Sequence, residues 1–536
     1  MTNIVVYDTT LRDGTQGEHV SLSLEDKLRI ARRLDEFGID YIEGGWPGSN
    51  PKDSEFFARA RDLELRHAKL AAFSSTRRAG TRAEDDESLR TIIEAQTPAV
   101  TIFGKSWTLH VTEALRTTLE ENLEMIRSSV ALLKAEGREV IYDAEHFFDG
   151  YAADSEYALE TLAAAVDGGA SWIVLCDTNG GVLPWDVERI VQEVRAAGHQ
   201  RLGIHVHNDA GTAVATTLAA VRAGATHVQG TINGVGERCG NVDLCPVIAG
   251  LALKLGYQMN CSPNIDQLTS LSAYLYDVTN LVPTDNQPYV GRSAFAHKGG
   301  VHVSAMMRDE RTYEHVDPAT VGNLRRVLVS ELAGRSNLYS AAAEMGIPLD
   351  DQAPAVQRVV QMVKEMENQG YQFEGADASL ELLLRRQLGL WEPRFTLKSY
   401  RVTVEHRGNR EPRADATVHL TVGDRDEHTA AEGDGPVHAL DRALRKALQP
   451  FYPQVEQVHL TDYRVRVLEG SDGTGTQVRV LIESADEHGP WTTVGVSANV
   501  LEASWEALAD SIEYGLARQS GAVRVPGQAS PISSGA

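Results

Sequence analysis

Residues 4–14 read IVVYDTTLRDG, and this stretch decides how the rest of the chain is interpreted. A short β-branched run, Ile4-Val5-Val6, leads directly into side chains that contribute nothing to a core, apart from Leu11. Such residues are expected at the carboxyl end of a strand, where they project into a site. There the guanidinium of Arg12 can pair with a carboxylate through two hydrogen bonds, and Asp13 can bind a hard cation.

A second strand-like stretch far down the chain, residues 203–207, complements the first. His205 and His207 lie on one face of a strand because side chains alternate with a period of two. Together with Asp13 they predict a carboxylate and two imidazoles around a divalent metal ion. A lone aspartate after a strand is more often a turn or helix cap, and a His-x-His pair is more often packed or solvated. The metal site therefore depends on the two stretches meeting in space.

The composition limits the classes of function. The 536 residues are 42% hydrophobic and 24% charged, with a net charge of −24 at pH 7. This balance predicts a soluble protein of roughly two to four domains, and it argues against nucleic acid or a membrane surface as partner. The four cysteines show no C-x-x-C spacing of a zinc knuckle or redox pair. We see neither a signal peptide nor a membrane-spanning run, so we expect a cytoplasmic protein.

The first half of the chain repeats a strand-then-helix pattern. Eight apolar strand-like runs are present, at residues 4–7, 41–43, 70–73, 100–103, 140–142, 172–176, 202–206 and 227–230. Helical segments between them begin at caps such as Ser23 and end at glycines such as Gly38. Eight units in about 260 residues predict a (β/α)₈ TIM barrel, with a doubly wound open sheet as the alternative. Polar residues follow each run, as they do at the active-site face of a barrel.

The rest of the chain is expected to form two further regions. The predicted fold class is α/β, with a TIM barrel in residues 1–263 and helical linker subdomains in residues 264–391. Residues 392–522 contain a duplicated unit of three strands and a helix, which predicts a separate C-terminal α+β domain. A tail at residues 523–536, rich in glycine, serine and proline, is expected to be disordered.

Four motifs, in this order, resemble the family of 2-isopropylmalate, homocitrate and citramalate synthases. They are Asp8-Thr9-Thr10-Leu11-Arg12-Asp13-Gly14, His205-Val206-His207-Asn208-Asp209, Gly234-Val235-Gly236-Glu237-Arg238-Cys239-Gly240-Asn241 and His297-Lys298-Gly299-Gly300-Val301-His302. The resemblance covers nearly the whole chain and implies a catalytic barrel, a linker and a C-terminal domain that senses an amino acid. Residues 43–51 and 103–107 resemble the citramalate branch, which condenses pyruvate with acetyl-CoA.

The resemblance implies roles for the polar residues at the strand ends. Asp13, His205 and His207 would bind a divalent ion, either Mg²⁺, Mn²⁺ or Zn²⁺, and Asn241 would lie close to it. The ion would polarise the ketone of the 2-oxoacid as a Lewis acid. Arg12 would add positive charge where the alkoxide develops. The 2-oxoacid would be held by three side chains, those of Arg12, Thr178 and Tyr142.

The resemblance also implies the residues that move protons. Glu145 would act as the catalytic acid–base that takes the acetyl methyl proton, with Asp143 close enough to be the alternative. His302 would be paired with Glu145, and together with Tyr313 it would reach over the barrel mouth of the partner subunit in a homodimer. Attack on the ketone would give a thioester, which water then hydrolyses.

Two other enzyme classes are alternatives. A 2-isopropylmalate synthase would take a larger oxoacid. Three bulky residues near strand ends would make the pocket small enough to prefer pyruvate, or they belong to the barrel core. They are Phe73, Phe103 and Trp107. A lyase of the hydroxymethylglutaryl-CoA type would use a cysteine in a glycine-rich loop. Cys239 lies in such a loop, although its neighbours resemble the synthases.

The C-terminal domain is expected to be a feedback sensor. The segment Gly433-Asp434-Gly435-Pro436 stands at a helix start, where free backbone N–H groups suit an amino acid's carboxylate. Isoleucine is the expected effector, because a citramalate route leads toward it, and leucine is the alternative. The domain could instead only dimerise the enzyme, or the chain could be chiefly a sensor.

Overall fold

The structure, a computed structural model, describes residues 3–329, 335–349, 353–406, 408, 411–468 and 476–523. The predicted tail therefore lies, after residue 523, outside the described residues. The chain forms two compact units, one of residues 1–295 and 316–325 and the other of residues 296–315 and 326–536. In the described part of the chain, no helix has the length and apolar character needed to cross a membrane.

A closed barrel of eight parallel strands lies at the centre of the first unit, in the order β1 to β8. The strands are β1 (Val5–Asp8), β2 (Tyr41–Gly45), β3 (Lys69–Ser75), β4 (Ala99–Lys105), β5 (Glu139–Glu145), β6 (Trp172–Asp177), β7 (Leu202–Val206) and β8 (His227–Gly230). Because β1 pairs with both β2 and β8, the sheet has no free edge. The predicted barrel is confirmed, and the open sheet is excluded.

Helices alternate with the strands and pack on the outside of the barrel. They are α1 (Leu24–Phe37), α2 (Pro51–Ala60), α3 (Glu87–Glu94), α4 (Leu119–Ala135), α5 (Phe147–Ala153), α6 (Ser155–Gly168), α7 (Pro184–Ala196), α8 (Ala213–Ala223), α9 (Leu244–Ala249) and α10 (Leu268–Thr279). The capping box of α1 joins Ser23 and Asp26, and the helix ends at Gly38, whose φ of 98° favours glycine. The predicted caps of α1 are confirmed.

The barrel lumen is closed at the amino end of its strands. Tyr41, Trp172 and His227 are each the first residue of a strand. The ring of His227 lies 5.1 Å from that of Trp172 and 5.8 Å from that of Tyr41, between centroids. These buried rings fill the lumen, so only the carboxyl end of the barrel is left for a site.

Short strands and helices begin the second unit. They are β9 (Ala296–His297), α11 (Gly300–Met306), β10 (Arg326–Val327), α12 (Arg335–Glu344), α13 (Ala353–Asn368) and α14 (Asp377–Gln387). The helices α12, α13 and α14 lie in the region that was predicted to be a helical linker. Ser379 of α14 accepts a hydrogen bond from the backbone N–H of Val494 at 3.0 Å, and Tyr514 donates to Glu381 at 2.9 Å. This helix therefore packs on the C-terminal domain, against the strand that contains Val494 and the helix that contains Tyr514.

The duplicated C-terminal unit is confirmed. One antiparallel sheet contains β11 (Thr396–Glu405), β12 (Arg413–Val422) and β13 (Arg425–Gly433), and it is followed by α15 (Pro436–Leu448). The second sheet contains β14 (His459–Val467), β15 (Val478–Asp486) and β16 (Gly489–Ser497), and it is followed by α16 (Val500–Gln519). The apolar faces of α15 and α16 share one core with both sheets.

Candidate active site

Three buried side chains meet where β1 and β7 end. Nε2 of His205 lies 3.4 Å from Oδ2 of Asp13, and Nε2 of His207 lies 3.9 Å from the same oxygen. The candidate ligand atoms of the three residues all lie within 4.8 Å of one another. At this spacing a single ion can contact all three, so the structure brings the predicted ligand set together.

Asn241 lies beside this triad, because it forms an isolated antiparallel bridge with His207. Its Oδ1 is buried and has no hydrogen-bond partner in the described part of the chain, and the same is true of Oδ1 of Asp13. Buried acceptor oxygens without donors are costly unless a cation takes the donor's place. A carboxylate, two imidazoles and an amide oxygen fit Mg²⁺, Mn²⁺ or Zn²⁺.

The guanidinium of Arg12 is held rigidly next to Asp13. Its Nη1 lies 3.2 Å from Oδ2 of Asp13, and its central carbon lies 3.7 Å from the ring centroid of Phe73. The fully buried Glu43 anchors the other side, since its carboxylate accepts hydrogen bonds from three side chains, those of Tyr7, Thr9 and Arg12. The arginine is thus fixed before any ligand arrives.

The electrostatics of Asp13 and His207 favour the forms that bind metal, whereas the carboxylates of Asp13 and Asp143 raise the pKa of His205. Burial by itself would raise the pKa of Asp13, but the adjacent Arg12 and His205 hold it well below its ordinary value. Burial, reinforced by His205, lowers the pKa of His207 to about 4. At neutral pH Asp13 is an anion and His207 a neutral imidazole, as ligation requires.

A cavity of about 240 Å³ is lined by the triad, by Arg12 and, on one side, by aromatic residues. Trp46, Phe73 and Phe103 form the aromatic side. The rings of Phe73 and Phe103 stack at 5.4 Å, and Trp46 meets both edge-on at 5.6 and 5.8 Å. Trp107 is elsewhere, stacked on His110 at 5.2 Å. Of the three predicted bulky residues, two line the cavity, and Trp46 takes the place of the third.

Both candidate acids of β5 face the lumen, because residues two apart share a face of a strand. Glu145 lies in the cavity wall and forms an ion pair with Lys105. Asp143 also lines the cavity, two residues nearer the amino end of the strand, and is 4% exposed. Burial raises the pKa of Asp143 to about 7. The two acids therefore differ in environment, since one is paired with a cation and the other is enclosed in the barrel.

Thr178 stands in the cavity wall at the end of β6. Its Oγ1 accepts a hydrogen bond of 3.0 Å from the backbone N–H of His146. His146 has a φ of 55°, an uncommon backbone conformation for a residue other than glycine, and this turns its N–H toward Thr178. Because the hydroxyl oxygen already accepts from the protein, its own proton can be given to an acceptor on a ligand.

The predicted role of Tyr142 in substrate binding is wrong. Alternation along β5 turns this side chain away from the lumen, into the core between barrel and helices. A Cβ on Gly104 would lie 2.8 Å from the Tyr142 hydroxyl and 3.0 Å from Ile126, so the ring fills the space that this glycine leaves. An apolar strand buried on both faces shows no alternation in its sequence, so the sequence does not show which face of β5 Tyr142 takes.

His302 and Tyr313 lie in the second unit. Their rings stack with centroids 4.2 Å apart, and both side chains are exposed. Their predicted part in the chemistry stays a prediction.

Several residues of the site were not predicted. Glu43 and Lys105 stood in the segments that resemble the citramalate branch, but nothing in the sequence marked them as partners of Arg12 and Glu145. Arg238 binds Asp209 at 2.8 Å and the backbone oxygen of Thr178 at 2.7 Å, which joins three loops of the barrel mouth. The glycine-rich motif contained this arginine without indicating its partners.

Comparison with known families identifies the class of this barrel. Residues 3–275 match the HMGL-like family model. Residues 289–371 match a model described as a homocitrate synthase post-HMGL domain-like region, and residues 374–516 match the LeuA allosteric (dimerisation) domain.

Relatives matched over nearly the full length narrow this class. The (R)-citramalate synthase of Aquifex aeolicus is 54% identical over 96% of this chain and 98% of its own. That of Geobacter sulfurreducens is also 54% identical, over 96% and 98%. A probable 2-isopropylmalate synthase of Methanopyrus kandleri is 34% identical, over 94% and 96%. The chain belongs to the family of the (R)-citramalate synthases.

Proposed function

We propose that this chain condenses pyruvate with acetyl-CoA and hydrolyses the resulting thioester, giving (R)-citramalate and CoA. The observation that carries the proposal is the small cavity in which the guanidinium of Arg12, the Asp13–His205–His207 triad and an aromatic wall meet. A small 2-oxoacid has a carboxylate and a ketone that can contact the guanidinium and the triad in this cavity. The names of the relatives from Aquifex aeolicus and Geobacter sulfurreducens agree with this activity.

The residues of the cavity divide the work of binding. A divalent ion would be held by Asp13, His205 and His207. It would supply Lewis-acid polarisation of the ketone. Arg12, fixed in place before binding, offers positive charge where the ketone oxygen becomes an alkoxide. Thr178 donates a hydrogen bond from its hydroxyl group to the oxoacid.

Carbon–carbon bond formation requires a base. In our proposal Glu145 takes a proton from the acetyl methyl group, and the methyl carbon then bonds to the ketone carbon of pyruvate. The resulting alkoxide takes up a proton and becomes the tertiary hydroxyl of the product. The ion pair with Lys105 holds the Glu145 carboxylate in the cavity wall. Hydrolysis then breaks the C–S bond, with water supplying the hydroxyl of the new carboxyl group and the thiol leaving with a proton.

Release of thiol from acetyl-CoA across a panel of 2-oxoacids tests this proposal. Pyruvate is expected to have the highest kcat/KM, with measurable turnover of 2-oxobutyrate, since one extra methylene changes binding by only about 1–3 kcal/mol. Phe103→Ala removes part of the aromatic wall and is expected to shift the preference toward 2-oxoisovalerate roughly tenfold. Trp107→Ala, outside that wall, should leave the ratio unchanged. A wild-type preference for 2-oxoisovalerate would make the chain a 2-isopropylmalate synthase.

We further propose that the C-terminal domain binds isoleucine, with leucine as the alternative, and that the enzyme works as a homodimer. A cavity of about 640 Å³ lies at the first turn of α15, within the size range of small-molecule sites. Val437 and Leu460 give it apolar walls, and Asp441 and Arg445 give it a carboxylate and a guanidinium. The apolar walls complement a branched side chain. Asp441 and Arg445 form an ion pair with each other at 2.8 Å, so an effector's ammonium and carboxylate would join this pair.

Filling this cavity tests the sensor. Leu460→Trp is expected to abolish inhibition by millimolar isoleucine, because the indole occupies the space of the effector. In the wild type, a coupling of about 1–3 kcal/mol would give inhibition from several-fold to about a hundredfold. Val467→Trp, an equal change at a 65%-exposed position of the same strand, should stay inhibitable. If neither isoleucine nor leucine binds or slows the wild type, the domain is no sensor of these amino acids.

A further inference from the structure

Gln229 of β8 connects two buried groups of the barrel that the sequence never linked. Its Oε1 lies 2.8 Å from Nδ1 of His205, and its Nε2 donates to Oδ1 of Asp143 at 3.0 Å. The residue is 1% exposed, so the protein must satisfy both ends of this amide. We propose that Gln229 is a positioning residue that fixes His205 in the tautomer able to bind metal through Nε2. This inference rests on the metal site of the proposed function.

The direction of the two hydrogen bonds carries the argument. An amide has a donating end and an accepting end, and in the structure Nε2 of Gln229 is the end that donates to Oδ1 of Asp143. The NH₂ group of Gln229 therefore faces Asp143, which leaves Oε1 to face His205. An oxygen acceptor at 2.8 Å requires the proton of His205 to be on Nδ1.

The consequence appears at the opposite ring nitrogen. With the proton on Nδ1, Nε2 of His205 carries a lone pair, and it points at Oδ2 of Asp13 from 3.4 Å. In the neutral imidazole these are two acceptors facing each other, and a divalent ion between them would satisfy both. The reverse tautomer would place an N–H there instead, and this would bond Asp13 directly and block the ion. The amide thus keeps the ligand atom available, as outer partners of metal-bound histidines commonly do.

His227 provides a matched control on the same strand. It lies two residues before Gln229, faces the same lumen and is fully buried. In the described part of the chain neither of its ring nitrogens has a hydrogen-bond partner. A substitution at His227 therefore disturbs the packing of β8 without touching His205.

Binding of Mn²⁺ alone to the full-length protein, with free and bound ion counted by EPR, tests the inference without turnover. Gln229→Leu is expected to weaken Mn²⁺ binding about 10–100-fold. Gln229→Glu should recover most of that loss, because a carboxylate oxygen accepts the same Nδ1–H bond. His227→Leu should leave the Mn²⁺ affinity near that of the wild type.

The possible results separate the inference from the proposed metal site. A wild type that binds no Mn²⁺ at this triad would remove the metal site itself. A folded Gln229→Leu variant that binds Mn²⁺ as tightly as the wild type would overturn only the role of Gln229. If Gln229→Leu does not fold, ¹⁵N NMR of the Zn²⁺-loaded wild type decides, with His205 assigned through His205→Ala. Protonated Nδ1 is expected, and metal on Nδ1 would overturn the inference.

Discussion

His207→Ala is expected to lose its bound divalent ion and to reduce thiol release by about a thousandfold or more. The substitution leaves the Asp13 carboxylate with one imidazole partner, and several kcal/mol of Lewis-acid stabilisation disappear with the ion. The barrel should stay folded, since His207 lies just after β7 and not among the apolar side chains of the core. Elemental analysis of gel-filtered protein and thiol release from acetyl-CoA measure the two losses.

His199→Ala is the matched control, because His199 lies just before the opposite end of the same strand. It should retain both the metal ion and the turnover. Wild-type protein stripped by a chelator should lose activity and regain it when a divalent ion is added. Full activity in thoroughly chelated wild-type protein would rule out a metal-dependent reaction.

Arg12→Lys is expected to lower kcat about 10²–10³-fold with pyruvate and acetyl-CoA. A lysine ammonium is a compact charge on a flexible stem, so it cannot bond Glu43 and Asp13 while stacking on Phe73. The charge opposite the developing alkoxide is then no longer fixed, and one misplaced donor costs about this much in other oxyanion sites. Steady-state kinetics should show the loss in kcat more than in KM.

Two further variants define what Arg12 does. Glu43→Gln retains the guanidinium but weakens its anchor, so an intermediate loss is expected. Arg78→Lys changes an arginine whose side chain is 70% exposed, and it should behave as the wild type. An Arg12→Lys variant with wild-type kcat/KM would contradict the assigned role.

The barrel could be predicted well because each of its strands is marked by a short apolar run in the local sequence. All eight strand-like runs coincide with strands, since each run is apolar and followed by a polar cluster. The predicted bounds were too short at β4 and β5, which extend to Lys105 and Glu145. Polar residues that continue a strand into an active site do not look like strand residues. The apolar pattern therefore ends before the strand does.

The candidate site was predictable only in part. The sequence indicated a metal site at Asp13, His205 and His207, because aspartate and histidine are residue types that commonly bind metal ions. Gln229 could not be predicted, because its role depends on contacts with residues 24 and 86 positions away and an amide has no distinctive signature. The prediction for Tyr142 failed because a tyrosine within a strand that is buried on both sides suits either face of that strand.

The packing of α14 on the C-terminal sheets has a consequence for protein engineering. Leu380 and Leu384 of this helix share a core cluster with Val494 of β16. A gene fusion or domain graft that begins at the first C-terminal strand would leave these leucines exposed on one fragment and an uncovered sheet on the other. The transferable module therefore starts before Asp377, and a chimera built from that point would carry its own hydrophobic cover.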